Sequence, residues 1–374
     1  MAERSWLRAA FLLLVFFAWP LSAQEPVPWH DPSSHAIQFI TVDENVKVEV
    51  LDWGGSGRPL VLLAGLGNTA HVFDEFAPKL TSEYHVYGIT RRGFGASSAP
   101  ASGYSADRLG DDVLAVLGSL KLARAVLVGH SIAGEELSSV GSRHPERIAG
   151  LIYLDAGYSY AYYDPSIGDL DVDSQELQKK LEQLRAADTP QYEKQLVEEL
   201  LQKSLPEFAR DLKERQTEIQ ASPPNPPSPT AADRESFKAL NSWRKGVYGV
   251  GWPEAESRQQ REVTAEGHVG GPRTKPTIRQ AITAGEQKYT DIRVPILAIF
   301  AIPQNLGPFV NDKPAARAAY QTVADTWSES RVKAFEAGVP SARVVRLAHA
   351  NHYVFLSNEA DVLREMRAFL VGLH

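Results

Sequence analysis

The sequence predicts an α/β protein with a mostly parallel sheet and helices on both of its faces. Three observations carry this expectation. Short apolar, β-branched runs alternate with stretches of helical period along most of the chain, the pattern of strands joined by crossover helices. Several of those runs are apolar at almost every position, as strands buried on both faces must be. One of them, Val126-Leu127-Val128-Gly129, leads into His130-Ser131-Ile132-Ala133-Gly134 and then a helical pattern. That is a strand–turn–helix corner built around a serine.

The chain has 374 residues, 43% of them hydrophobic, enough for one large core or a core with an insertion. Its net charge of −7 mixes both signs, and no basic stripe offers itself to a phosphate backbone, so no nucleic-acid partner is expected. Cysteine is absent, which removes disulfides and thiolate metal sites. At the N-terminus, Arg4 and Arg8 precede or flank an apolar run at 9–19, about 11 residues, the length of a signal-peptide core. Pro20 ends it, and Leu21-Ser22-Ala23 offers a cleavage site before Gln24. The run is short for a membrane span. Residues 1–23 are therefore expected to be a signal peptide, and the mature protein periplasmic or secreted, without stable membrane insertion. An uncleaved anchor is the alternative.

A proline-bearing arm occupies 24–35. Residues 36–42 and 46–51 alternate with period two around Asp43-Glu44-Asn45, which reads as a hairpin. Residues 60–64 form a buried strand. A helix near 70–80 precedes a strand at 84–89, a helix near 105–121 precedes the strand at 125–128, and the helix 135–143 precedes a strand at 148–154. From about 160 to 290 no convincing strand is found. Leu177, Leu181 and Leu184 share one helical face there, as do Tyr192, Leu196, Leu200 and Leu201, and helix packing is the simplest account of both stripes. A break rich in proline (223–229) follows, then Trp243, Tyr248 and Trp252, which either pack within this segment or line an apolar pocket. The segment is too long for a loop. It reads as a helical insertion at 159–289, dividing a core made of 24–158 and 290–374. A strand at 294–300, a helix near 313–337, a strand at 342–347 and a last helix near 359–372 complete that core.

A serine hydroxyl attacks only with a base to take its proton and donors to hold the oxyanion. Gly129 and Ala133, two residues either side of Ser131, are as small as a strained nucleophile turn demands. Among ten histidines, His30 and His35 lie in the arm, His268 in the insertion and His374 at the end. His130 takes the variable position of the turn and should point off the active face. His144 sits at a helix end, and His71 and His85 lie far from the expected base position. His349 and His352 remain, both after the last strand. His352 is the better placed, because Tyr353-Val354-Phe355-Leu356 anchors its loop. The oxyanion donors are expected at the N–H of Ile132 and, in Gly65-Leu66-Gly67, at the N–H of Leu66.

Ala64-Gly65-Leu66-Gly67, Arg92-Gly93-Phe94-Gly95-Ala96-Ser97, Gly129-His130-Ser131-Ile132-Ala133-Gly134, His144-Pro145-Glu146-Arg147 and His352 follow one another as in the α/β-hydrolase superfamily. Over roughly 36–158 and 290–373 the chain resembles a capped member of it. The resemblance implies an eight-stranded, mostly parallel sheet, a Ser–acid–His triad, a cap formed by the insertion, and hydrolysis without cofactor or metal. A small-molecule carboxylic ester is the expected substrate. Perhydrolysis or carbon–carbon bond hydrolysis on the same triad is a rival reading, and a ligand-binding protein with an idle triad another. Haloalkane dehalogenases and epoxide hydrolases are disfavoured, since that class carries an aspartate where Ser131 stands.

Three features depart from the pattern. Ala64 replaces the usual histidine before the oxyanion loop. Glu135 and Glu136 fall early in a helix that should be buried, where Arg91 or Arg92 would be their partners. The loop after the strand at 294–300, Ala301-Ile302-Pro303-Gln304-Asn305, lacks the usual acid. Two carboxylates then compete for the third triad position. Asp155 directly follows the strand at 148–154, and the order Ser131, Asp155, His352 suits the fold. Asp312 lies beyond the usual place and is expected to cap the helix opened by Lys313-Pro314.

Overall fold

A computed structural model describes residues 29–373, so the signal segment expected at 1–23 lies outside the described residues. Residues 29–32 carry no helix or strand, and the chain from Ser33 onward forms a unit of its own. In that unit an eight-stranded sheet is built from β1 (Ala36–Asp43), β2 (Val46–Gly54), β3 (Pro59–Leu63), β4 (His85–Thr90), β5 (Ala125–His130), β6 (Ile148–Leu154), β9 (Ile296–Ala301) and β10 (Ala342–Leu347). Their order is β1-β2-β4-β3-β5-β6-β9-β10. The expected hairpin pairs β1 with β2, and β2 is antiparallel to β4 as well, while every later pairing is parallel.

The two faces of the sheet divide each apolar run by parity. Leu127, Leu151, Tyr153 and Ala298 face one cluster, completed by Val116 and Leu117 of α1 (Ala106–Ser119), Leu137 and Val140 of α2 (Ala133–Arg143), and Phe335 of α10 (Pro314–Gly338). Val126, Val128, Ile152 and Leu297 face the other, with Phe73, Phe76, Leu80 and, from α12 (Glu359–Val371), Val362 and Met366. Unbroken apolar strands are thus required by burial on both sides, each full side chain contributing about 1.5–3 kcal/mol. The helix expected near 70–80 is instead two short 3₁₀ turns, Ala70–Phe73 and Ala77–Leu80. Pro78 falls within the second turn and has no N–H to carry a longer ladder.

Between β6 and β9 run α3 (Leu170–Arg185), α4 (Pro190–Glu199), α5 (Leu205–Ala221), α6 (Phe237–Tyr248), α7 (Glu254–Gln260) and α8 (Pro276–Thr283). A small antiparallel pair also occurs here, β7 (Arg261–Val263) with β8 (Val269–Pro272). It corrects the expectation that this segment holds no strand, and elements of three and four residues are too short to show an alternation. The leucine stripes are buried only on their inner edge. Leu177, Leu196 and Leu200 are covered, whereas Leu181, Tyr192 and Leu201 remain exposed. Two short helices, α9 (Pro308–Asn311) and α11 (Val354–Ser357), complete the chain. Among the described residues no helix is long and apolar enough to cross a membrane.

Candidate active site

β5 ends at His130, and α2 starts three residues later. Reversal in so little chain forces Ser131 to φ 54°, a left-handed conformation that costs a non-glycine residue roughly 1–3 kcal/mol and persists where surrounding structure imposes it. The corner is held by the Ser131 N–H on the Leu154 carbonyl (3.3 Å) and the Gly134 N–H on the Ser131 carbonyl (2.9 Å). A Cβ at Gly129 would lie 2.9 Å from the Leu137 side chain and 3.2 Å from the Ala133 Cβ. That close approach explains the small residues on both sides of the serine.

Asp155 follows β6 directly, itself at φ 49°, and its N–H reaches the Ile299 carbonyl of β9 at 2.7 Å. Its carboxylate is buried and shared between three partners. Oδ2 lies 2.6 Å from His352 Nδ1. Oδ1 accepts from the Tyr158 hydroxyl (2.6 Å) and the Ala301 N–H (3.0 Å). Burial, followed by the charge of Asp155, pushes the Tyr158 hydroxyl well above its ordinary pKa, so it stays a donor. His352 is about a third exposed at its side chain, which leaves its ring open to the cavity that Ser131 also lines. Asp312 is exposed, ends α9, and does not cap α10, whose N-cap is Lys313. The expected capping role of Asp312 is therefore wrong. With Pro314 at the first helical position, an N–H that would otherwise call for a cap is missing.

The loop after β3 runs against the serine. An added Cβ at Gly65 would stand 3.1 Å from the Ser131 Cβ and 2.8 Å from His130 Nδ1. Leu66 packs with Ile132 in one apolar cluster. No acceptor within the protein takes the N–H of either Leu66 or Ile132 among the described residues, while Arg91 Nη2 donates to the Ala64 carbonyl at 3.0 Å and fixes the start of the loop.

Two cavities meet at His352. One, of about 410 Å³, is lined by Ser131, Tyr158, Tyr160, Ile219, Tyr320 and Trp327, with Arg215 and Glu218. The other, of about 400 Å³, is lined by Pro224, Val247, Tyr248, Phe309, Tyr320 and Tyr353. They share Ser222, Gln304, Tyr320 and His352, so α5 and α10 supply most of the wall above the serine. Tyr160, which lines the same cavity as Ser131, is pushed well above its ordinary pKa by burial and then by Asp155.

The family model for the alpha/beta hydrolase fold matches residues 58–359, most of the chain. The chain belongs to the α/β-hydrolase family. Among relatives, a non-heme haloperoxidase of Rhodococcus erythropolis is 32% identical over 120 residues, 32% of this chain and 43% of that protein. The curated relatives it matches are spanned over only 36–53% of their length. Among solved structures, E-2-(acetamidomethylene)succinate hydrolase aligns with a TM-score of 0.56 and 16% identity, over 90% of this chain and all of that one. The esterase RhEst1 from Rhodococcus sp. ECU1013 aligns with a TM-score of 0.53 and 16% identity, over 90% and 99%. At such identity the likeness is one of fold.

Within this α/β-hydrolase core, several expectations need correction. His130 lines neither cavity, yet it is not remote from the site. It shares the strand face of Val126 and Val128, over which the His352 loop passes, so its Nε2 meets the His352 carbonyl at 3.1 Å and its ring lies 4.7 Å from that of His352. His349, the competing base, is exposed at φ 60° and lies apart from Ser131. Glu136 pairs with Arg91 at 2.6 Å, while Arg92 is taken by Asp112 at 2.6 Å. Glu135 has neither arginine as partner, and both of its carboxyl oxygens are buried without a hydrogen bond. Of the insertion's three candidate aromatics only Tyr248 lines either cavity. Trp243 packs on the Phe237, Leu240 and Val269 cluster, and Trp252 packs on Tyr353 and under Arg244. Asp169, Asp171 and Glu286 bring carboxyl oxygens within 4.8 Å of one another, an all-oxygen set of the kind hard cations take, but no second feature points to a ligand there. Tyr158 and Tyr160 were not legible as site residues, because spacings of three and five from an aspartate carry no motif.

Proposed function

We propose that the protein is an exported serine hydrolase that cleaves a small-molecule carboxylic ester by acyl transfer, with 159–289 acting as its cap. One observation carries the reading: Asp155 Oδ2 sits 2.6 Å from His352 Nδ1 beside the cavity lined by the strained Ser131. Ser131 Oγ attacks the ester carbonyl carbon as His352 Nε2 takes its proton. Asp155 fixes the tautomer and stabilises the imidazolium. The N–H groups of Leu66 and Ile132 receive the developing oxyanion. Collapse breaks the carbon–oxygen bond, and the departing alcohol takes the proton from His352. Water then attacks the acyl-serine by the same route, releasing the acid and free Ser131.

The two cavities that meet at His352 favour an ester with an apolar or aromatic group on each side of the carbonyl. Residues 1–23 support export, and an intact mass beginning near Gln24 is the corresponding expectation. The pre-steady-state release of p-nitrophenolate from a p-nitrophenyl ester panel tests the mechanism. A burst matching the enzyme concentration is expected, as an accumulating acyl-enzyme requires, and its absence in Ser131→Ala. Turnover in Ser131→Ala equal to the parent would rule the acyl-enzyme out. The likeness to a protein named as a non-heme haloperoxidase favours perhydrolysis as second reading, in which hydrogen peroxide rather than water takes the acyl group. Peroxide competing with water for the acyl-enzyme would separate the two.

A further inference from the structure

Glu256 is fully buried in α7 of the insertion, yet apart from a bond from Gln260 of the same helix its hydrogen bonds run to the core. Its Oε1 accepts from Asn68 Nδ2 at 2.8 Å and from the Thr69 N–H at 3.1 Å, and its Oε2 accepts from the Thr69 hydroxyl. Asn68 and Thr69 end the loop that begins at Gly65, and the Asn68 N–H closes a turn on the Gly65 carbonyl at 3.0 Å. The Leu66 peptide lies inside that turn. On its other side Asn68 Oδ1 accepts from the Tyr353 hydroxyl at 2.9 Å, and Tyr353 is the neighbour of His352. Arg279 of α8 lies against Gly67, so close that a Cβ there would overlap its guanidinium at 2.0 Å. The insertion therefore grips the loop after β3 at two points and reaches the histidine loop through Asn68.

We propose that Glu256 is a positioning residue: it holds the Gly65–Thr69 turn so that the Leu66 N–H is aimed at the oxyanion, and ties that turn to the loop of His352. The proposal rests on the acyl-transfer reading above. A carboxylate in this position is chemically apt. It accepts from a side-chain amide, a backbone N–H and a hydroxyl at once, which no neutral side chain of the same length does with two oxygens. Three bonds converging on one carboxyl group restrain a turn whose residues 65 and 67 are both glycine. Glycine is the most flexible residue available, so the restraint has to come from outside the turn. Displacing an oxyanion donor affects the transition state far more than the bound ester, because the charge it serves develops only on attack. The insertion would then contribute to the rate as well as covering the substrate.

The test is a kinetic split on p-nitrophenyl esters with Glu256→Ala, Glu256→Gln and Tyr353→Phe, together with the affinity of an alkyl boronic acid that mimics the tetrahedral adduct on Ser131. Deleting an oxyanion donor costs about 10²–10³ in kcat, so loosening one is expected to cost roughly 10- to 100-fold. Glu256→Ala should show that loss in kcat, with KM within about twofold, and weaken boronate binding by a like factor. Glu256→Gln keeps one acceptor oxygen, and its amide can donate to the Thr69 hydroxyl, so it should restore most of the rate. Tyr353→Phe should reproduce a smaller part of the loss. If Glu256→Ala does not fold, Tyr353→Phe carries the test, and unchanged kcat and boronate affinity in that variant overturn the proposal. Folded Glu256→Ala with unchanged kcat overturns it too, as does a loss confined to KM. Turnover in Ser131→Ala equal to the parent overturns the acyl-transfer reading itself and this proposal with it. A parent with a burst and an indifferent Glu256→Ala overturns the proposal alone.

Discussion

Asp155 gathers three hydrogen bonds onto a single carboxylate. One oxygen meets His352, and the other is held by Tyr158 and by the Ala301 N–H, so the group cannot rotate away from the imidazole without breaking two bonds. Asp155→Asn should cut kcat by roughly 10⁴, the scale of the same change in the Ser–His–Asp template. Asp312→Asn should leave activity unchanged and alter stability by less than about 0.5 kcal/mol, as substitutions at exposed positions do. Steady-state kinetics and thermal melts of the two variants decide between them, and the reverse pattern would move the acid to Asp312. Asp155 was legible in the sequence because it directly follows an unbroken apolar strand, at the sheet end where such sites form. The contact of His130 with the His352 loop was not legible, since it depends on which face of β5 that distant loop crosses.

At the scale of elements, α2 carries two acids into the core. Glu136 is matched by Arg91, but Glu135 is not. Burial and then the Glu136 charge push the Glu135 carboxyl well above the ordinary range. Glu286, after α8, is pushed up to about 10 by burial, then by Glu135, Asp169 and Asp171. In the folded state both acids keep protons that the unfolded chain releases above its ordinary carboxyl pKa. Unfolding therefore releases protons, and stability should fall as pH rises from about 4.5 towards 10, by up to roughly 1.4 kcal/mol per pH unit for Glu286, with Glu135 acting in the same direction. Glu286→Gln should flatten this slope. It should melt higher than the parent at pH 9 and nearly equal to it at pH 4, and parallel pH profiles would contradict the assignment.

The insertion makes a second test possible at this scale. Tyr248→Ala should change the ranking of esters by acyl-chain length, because Tyr248 lines the second cavity. Trp243→Ala should leave that ranking intact while lowering stability, because Trp243 packs within the insertion. An ester panel on both variants checks this, and equal effects would remove the distinction. Long elements such as α10 and α12 could be read from their period. The 70–80 stretch and the β7–β8 pair could not, as each part is shorter than one clear repeat of its own pattern.

For the whole molecule, the buried, mostly parallel sheet and the helices on its two faces were carried by runs such as 125–128 and 148–154, whose unbroken apolar character has one explanation, burial on both faces. What the sequence withheld was contact between distant segments: the union of two cavities at His352, and the grip of α7 on the loop after β3. Both depend on how the insertion lies over the core, which no local pattern encodes. The central claim, that this arrangement makes Ser131 a nucleophile, is tested most directly by intact-mass and peptide mapping after treatment with a fluorophosphonate. The account predicts one adduct per chain, located on Ser131, absent in Ser131→Ala and formed much more slowly in Asp155→Asn. A folded parent protein that takes no label, or takes it at another residue, would contradict it.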